Sequence, residues 1–270
     1  GLNLGTSWEV DFWGRIKAGE KRTITNVQAA HADLWAARQS LAAHVVKAWI
    51  GLVESNEQIA LASTNILILE TTVKQAVLRH SLGVNAALDV KLAEVNLATV
   101  RALSEQWRAV HAQQCRHLEA LLGRYPSGTL RAGRTLPELM PSIPAGVPSD
   151  LLRRRPDIGA SMARVQGAQY QVEEAQGVLL PKLNLTASTG STSDGLQGLL
   201  NNNHLVWSLG SNITQPILKG RKLRNNVLLQ HSLAAEVVLR HRQLVLSAFA
   251  EVELSLVNEE LLRKREIQLS

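Results

Sequence analysis

The sequence predicts an α+β chain in which short, two-faced strands are joined to very long, coiled-coil-like helices. Three observations predict it. Stretches at residues 2–12, 181–193 and 206–217 alternate larger apolar residues with small or polar ones, the period of a strand with unlike faces. From near Thr23, apolar residues recur every seven positions in two interleaved series, as the a and d positions of a coiled coil do. A strand, a Gly-Arg turn and a long helix then occur twice along the chain.

In LNLGTSWEVDF, Leu2, Leu4, Trp8, Val10 and Phe12 fall on one face, and Asn3, Ser7, Glu9 and Asp11 on the other. The basic, turn-rich WGRIKAGEKR follows, and the heptad pattern begins after it. Val45, Leu52, Ile59, Ile66 and Val73 form one series; Leu34, Leu41, Ala48, Ala62, Leu69 and Ala76 form the other, interrupted by Ser55. The helix is expected to reach about Leu82, a length of about 90 Å at the rise of an α-helix. In HSLGVNAALDV, Gly83 suits the left-handed position after a helix end, and Asn85 suits the cap of the next helix. Apolar positions resume at Leu88, Leu92, Val95, Leu103, Val110 and Leu118, so residues 23–122 read as a helical hairpin. Each arm is too long to bury its face against the other alone, and its seam needs further helices.

Residues 123–150 are rich in proline and glycine and read as an extended connector. In PSDLLRRRPDI, Ser149 suits a cap, Pro156 the first turn of a helix, and Asp157 the positive end of its dipole. Arg153, Arg154 and Arg155 read as the solvated start of that helix, which is expected to run to about Val178. Leu183 and Leu185 then alternate with Asn184 and Thr186, and Trp207, Leu209 and Ile213 with Ser208 and Asn212. DGLQGLLNNNH between them reads as a loop, and a last long helix is expected from about Leu223.

The doubled unit appears when LGTSWEVDFWGR, residues 4–15, is set beside LGSNITQPILKGR, residues 209–221: Gly14 and Arg15 match Gly220 and Arg221. Each strand has about the length that crosses a bilayer at a tilt. A soluble sandwich would turn the polar face to water and the apolar face to a shared core. A transmembrane barrel would turn the apolar face to lipid and the polar face to a lumen, with Trp8 and Trp207 suited to the interface. Three strands cannot close a barrel, and open edges cannot sit in lipid. A membrane reading therefore requires strands from outside this stretch of sequence or from other copies.

Composition removes several classes. Apolar residues at 45% exclude general disorder. The net charge is +6, but no segment interleaves basic and aromatic residues as a nucleic-acid surface would. Cys115 is the single cysteine, without the neighbours of a zinc site. No apolar run is long enough for a transmembrane helix. The absence of HExxH, P-loop and GxSxG patterns points away from an enzyme, and no catalytic, cofactor or metal site is expected.

SWEVDFWGRIKAGE, RHSLGVNAALDVKLAEVNLA, PSDLLRRRPDIGA, LLPKLNLTASTG and ITQPILKGRKLR, in this order, resemble the outer membrane factor (TolC-like, NodT-type) family of bacterial tripartite efflux pumps. The resemblance runs through the whole chain. It implies an α+β membrane channel with a two-fold internal repeat, whose homotrimer closes one β-barrel in the outer membrane and a helical tunnel across the periplasm. The parts would be a barrel strand at residues 1–14, a periplasmic hairpin at 15–122, an equatorial connector and helix at 123–180, a strand pair at 181–218 and a periplasmic helix at 219–270. By the same comparison the chain reads as a fragment without the first helices and first strand, the last helix of the second repeat or the family's lipid-anchored N-terminal cysteine.

The resemblance also assigns roles. Leu82, Gly83, Val84 and Asp89 would form the tip where a periplasmic adaptor docks and, through it, an inner-membrane pump. Leu2, Leu4, Trp8, Val10, Phe12, Leu183, Leu185, Trp207, Leu209 and Ile213 would face lipid. Asn3, Ser7, Glu9, Asn184, Thr186, Ser208 and Asn212 would face the lumen. Ser149, Arg154, Pro156, Asp157, Gly14, Arg15, Gly220 and Arg221 would be structural. The family's gate residues would fall beyond Ser270. The implied function is a passive exit duct for drugs or other small molecules. The alternatives are a duct for type I protein secretion, a soluble coiled-coil scaffold and a basic DNA-binding helix.

Overall fold

The computed structural model describes residues 2–131, 133, 136, 154–191 and 205–269. Among them are strands β1 (Leu2–Val10), β2 (Lys182–Ser191) and β3 (Leu205–Thr214), and helices α1 (Arg15–Ser81), α2 (Ala87–Leu121), α3 (Pro156–Gly177) and α4 (Gly220–Leu269). The chain divides into two compact units, residues 1–36 with 144–270, and residues 37–143.

In the first unit the strands form one antiparallel sheet in the order β1-β2-β3. Helix α3 runs antiparallel to the start of α1 and to α4. Arg22 pairs with Glu174 and Arg164 with Asp33 on one side, and Arg155 pairs with Glu251 on the other. Close approach on the α1 side follows from small residues: Ala160, Ala163, Gly167, Ala175 and Gly177 of α3 are buried, as are Ala18 and Ala29 of α1. Gly177 is required there, because a Cβ on it would lie 2.8 Å from the Cβ of Arg15.

In the second unit the rest of α1 runs antiparallel to α2. Ala48, Leu52, Cys115 and Leu118 form its core, with Val45, Trp49, Leu121 and Leu130 packed around it. The heptad seam is therefore real at Val45, Ala48 and Leu52, and Ser55 is also fully buried within it. Outside this contact the helices keep many apolar residues uncovered, including Leu67, Ile68, Leu92 and Val95.

Several boundaries differ from expectation. Strand β1 ends at Val10, and Phe12 lies in the turn after it, edge-on to Trp13 at 4.9 Å. Helix α1 begins at Arg15, before the expected Thr23, because Asp11 caps it: its Oδ1 accepts the Ile16 N–H at 2.9 Å and its Oδ2 the Lys17 N–H at 2.8 Å. The heptad pattern misses this first part because its partner helix presents alanine and glycine rather than a leucine seam. Helix α4 likewise begins at Gly220 rather than Leu223. Helix α2 starts after Ala86 with no side-chain cap, so Asn85 does not serve as the cap. Ser149 lies outside the described residues.

Candidate functional site

The sheet separates its side chains as the alternation predicts. Leu4 stands opposite Thr189, Trp8 opposite Leu185 and Val10 opposite Leu183. Leu183 in turn faces Ile213, Ala187 faces Leu209 and Thr189 faces Trp207. Since residues two apart share a face, Leu2, Leu4, Trp8, Val10, Leu183, Leu185, Trp207, Leu209 and Ile213 all lie on one face. Asn3, Ser7, Glu9, Asn184, Thr186, Ser208 and Asn212 all lie on the other. Phe12 alone of the predicted apolar set falls outside the strands.

Among the described residues, nothing covers either face of β3 or of β1 up to Trp8. Trp8 is 62% exposed, and Trp207 and Leu209 are each 74% exposed. On the apolar face Thr6 and Ala187 are paired in mid-sheet, and a shallow depression of about 630 Å³ lies between Leu4, Trp207 and Leu209. The polar face is cross-linked by side chains: Ser188 and Ser208 hydroxyls are 2.7 Å apart, and Arg15 donates to Glu9 at 2.8 Å. An apolar face left open on a sheet whose other face is polar is an interaction surface for something apolar.

The turn between α1 and α2 is the second candidate. Gly83 has φ of +73°. Its N–H donates to the His80 carbonyl and the Val84 N–H to the Arg79 carbonyl, both at 2.9 Å, which closes α1 as a Schellman motif. His80 was not anticipated from the sequence. Its Nδ1–H donates to the Asn85 carbonyl at 2.8 Å and ties the two helices together at the tip. Leu82 and Val84 are 69% and 72% exposed, and Asp89 sits in the first turn of α2, where its charge meets the helix dipole.

Two charged clusters hold the ends of the connector. Among the described residues the ion pairs here are made by Arg155 rather than Arg154: its guanidinium donates to both Asp157 oxygens, at 3.1 and 2.7 Å, and to Glu251 at 2.7 Å. The Arg155 fork holds the Asp157 carboxyl below the usual carboxylate range, against partial burial. Glu119, buried at the end of α2, accepts the N–H groups of Gly128 (2.6 Å), Thr129 (2.9 Å) and Leu130 (3.1 Å), and the Ser127 hydroxyl (3.2 Å). The Gly128 bond is the leading reason its carboxyl also lies below the usual range. Neither Glu119 nor Arg155 stood out in the sequence, because Glu119 closes on backbone N–H groups of a later loop and Arg155 meets Glu251 only across the fold.

Comparison with known proteins places this geometry. A family model described as outer membrane efflux protein matches residues 1–124 and 147–268. The pyoverdine export outer membrane protein OpmQ of Pseudomonas aeruginosa is 29% identical over 254 residues, 94% of this chain and 53% of that protein. The probable efflux pump outer membrane protein SepC of Pseudomonas putida is 27% identical over 249 residues, 92% of this chain and 52% of that protein. The chain thus spans about half the length of the curated relatives it matches. Among solved structures, the outer-membrane channel OprN superposes with a TM-score of 0.93 at 27% identity, over 100% of this chain and 61% of its own. The open-state MtrE channel of Neisseria gonorrhoeae superposes with a TM-score of 0.85 at 28% identity, over 97% of this chain and 60% of its own. With the fold of these channels and a family match along nearly its whole length, the chain belongs to the outer membrane efflux protein family.

Proposed function

We propose that this chain is part of an outer-membrane channel subunit, a passive exit duct of a tripartite efflux system that closes as a homotrimer. The observation that carries the reading is the uncovered, two-faced sheet. A water-soluble protein would cover the apolar face with its own core. In a barrel that face meets lipid while the serines, threonines and asparagines line water. Strands of 9 and 10 residues, tilted, span about the 25 Å height of an outer-membrane apolar band. The free edges of β1 and β3 then need strands from the rest of the protein or from other copies, since an open edge is not tolerated in lipid.

The shared order of strand and long helix in β1-α1 and β3-α4 supports a two-fold repeat. The exposed, rigidly closed turn with Leu82, Gly83, Val84 and Asp89 supports docking of a periplasmic adaptor, with an inner-membrane pump beyond it. The pyoverdine in one relative's name belongs to that protein; this duct is assigned to small molecules as a class. The soluble scaffold reading leaves the open apolar sheet face unexplained. Fractionation of the full-length protein in mild detergent, followed by conductance in planar bilayers, tests the proposal. A trimer from the outer-membrane fraction that conducts ions is expected, and a soluble monomer or dimer overturns it.

A further inference from the structure

Both long helices spring from the same end of the sheet. Val10 of β1, Leu183 of β2 and Ile213 of β3 are in register, so β1 and β3 end side by side, about 10 Å apart at the usual strand spacing, and α1 and α4 follow after short turns. This end is strongly basic. Lys17 and Lys21 follow β1, and Lys219, Arg221, Lys222 and Arg224 follow β3, all of them exposed. Nearby carboxylates are mostly engaged: Glu9 with Arg15, Glu174 with Arg22, and Asp11 in the cap of α1. Glu20 and Glu173 stay exposed, and Glu173 shares a surface depression with Lys17 and Lys21. None of the six cations has a carboxylate partner among the described residues, and Lys21 Nζ instead lies 5.2 Å from the centre of the Tyr170 ring.

The other end of the sheet is different in sequence. From Ser191 to Leu205 there is one acidic residue, Asp194, and no lysine or arginine. The basic end also exposes Phe12, Trp13, Ile217 and Leu218 among its cations. Trp13 is fixed in place by donating its Nε1–H to the Pro181 carbonyl at 2.9 Å. Unpaired cations mixed with exposed aromatic and alkyl groups, just past the ends of two-faced strands, match the chemistry of a headgroup zone. There the apolar groups meet the acyl boundary and the cations meet phosphate. An acidic protein surface would satisfy the cations but not Phe12, Ile217 and Leu218.

We propose that this strand-to-helix junction is a collar that binds anionic phospholipid headgroups on the periplasmic side of the membrane. The inference rests on the reading of the strands as membrane-spanning. The test uses the full-length protein in nanodiscs of phosphatidylcholine with a minor share of phosphatidylglycerol, and native mass spectrometry counts the lipids retained. The variant carries Lys17→Gln, Lys219→Gln, Lys222→Gln and Arg224→Gln together.

Wild type is expected to retain phosphatidylglycerol over phosphatidylcholine. The preference should fall by roughly fivefold for each engaged cation removed, and less so as ionic strength rises. Should the combined variant fold poorly, Lys219→Gln and Lys222→Gln read singly, at exposed positions, give the same measurement. Equal retention by a folded variant overturns the collar while leaving the channel intact. Failure of the wild-type protein to enter a bilayer overturns the channel reading and the collar together. Unchanged lipid retention with loss of a co-purifying acidic protein assigns the surface to a protein partner and also overturns the proposal.

Discussion

His111 of α2 lies 3.1 Å from the Ser55 hydroxyl of α1. The Ser55 hydroxyl hydrogen is already given to the Leu52 carbonyl at 2.8 Å, so the imidazole Nδ1–H donates and Ser55 Oγ accepts. The arrangement recurs between α3 and α4. Ser161 donates to the Ile158 carbonyl at 2.8 Å and accepts the His241 Nδ1–H at 2.7 Å. In seams built from alanine and small residues, many axial registers pack almost equally well. A polar pair that is satisfied at one register only selects it.

Ser55→Ala is therefore expected to destabilise the hairpin by about 1–2 kcal/mol, because it strands the Nδ1–H of His111. Combining Ser55→Ala with His111→Leu should restore most of that loss, since both polar groups are then gone. Thermal melts of the four proteins in a double-mutant cycle check this. Additive losses would mean that the two side chains are not coupled.

Arg155→Gln is expected to lower stability by about 1 kcal/mol, after discounting for the exposed Glu251 carboxylate, whereas Arg154→Gln should change it by less than about 0.5 kcal/mol. Melting temperatures at low and high salt read the difference, and the Arg155 effect should shrink with salt. The sign with pH follows from Asp157, whose folded pKa is depressed chiefly by its Arg155 hydrogen bond. Its stabilisation is present above the unfolded carboxylate range and is lost as pH falls through the folded value. The pH dependence should weaken in Arg155→Gln.

How much could be read from the sequence differs by element. The strands were legible because each has unlike faces, so Leu183 and Asn184 announce the period without any neighbour. The left-handed Gly83 was legible because glycine is the residue that most commonly performs that task. The start of α1 at Arg15 was not, since α3 covers it with Gly167, Ala175 and Gly177, and close-packed small residues leave no hydrophobic period. Asn85 looked like a cap, but the tip is closed by the His80 ring on a backbone carbonyl, which depends on the three-dimensional turn. Arg154 and Arg155 are indistinguishable by position in a run of arginines. Their contacts separate them: Arg155 forks onto Asp157 and reaches Glu251, 96 residues away.

Glu119 predicts an acid-sensitive latch. Its folded pKa lies below the ordinary value, first because of the Gly128 N–H. The stabilisation it gives is complete above the unfolded pKa and fades as pH drops through the folded one. The protection of the Gly128, Thr129 and Leu130 amides against hydrogen exchange, taken relative to the intrinsic rate at each pH, should therefore fall on acidification. In Glu119→Gln the same amides should already exchange fast at neutral pH. Slow exchange in that variant would show that the loop is held by other contacts.

The two faces of the sheet predict opposite tolerance to charge. Leu209→Arg places a guanidinium in mid-sheet on the apolar face, and a cation at the midplane of a barrel costs about 2–4 kcal/mol. Ser208→Arg places the same group on the polar face next to it, and folding should persist with altered conductance. Membrane insertion of the two full-length variants, followed by heat-dependent gel mobility, compares them. Equal insertion would remove the assignment of the apolar face to lipid.

The tip separates backbone strain from contact chemistry. At Gly83 a Cβ would meet no atom within 4 Å, so the expected penalty for Gly83→Val is conformational, about 1–2 kcal/mol for a left-handed non-glycine residue. Gly83→Asn should be much milder, because asparagine visits that region readily. Leu82→Asp leaves the backbone unstrained and replaces an exposed apolar side chain with a charge. If the tip docks an adaptor, Gly83→Val and Leu82→Asp should both depress drug export by cells at normal protein level, while Gly83→Asn preserves it. If Leu82→Asp exports normally and only Gly83→Val fails, the turn matters for the shape of the hairpin rather than for the partner it meets.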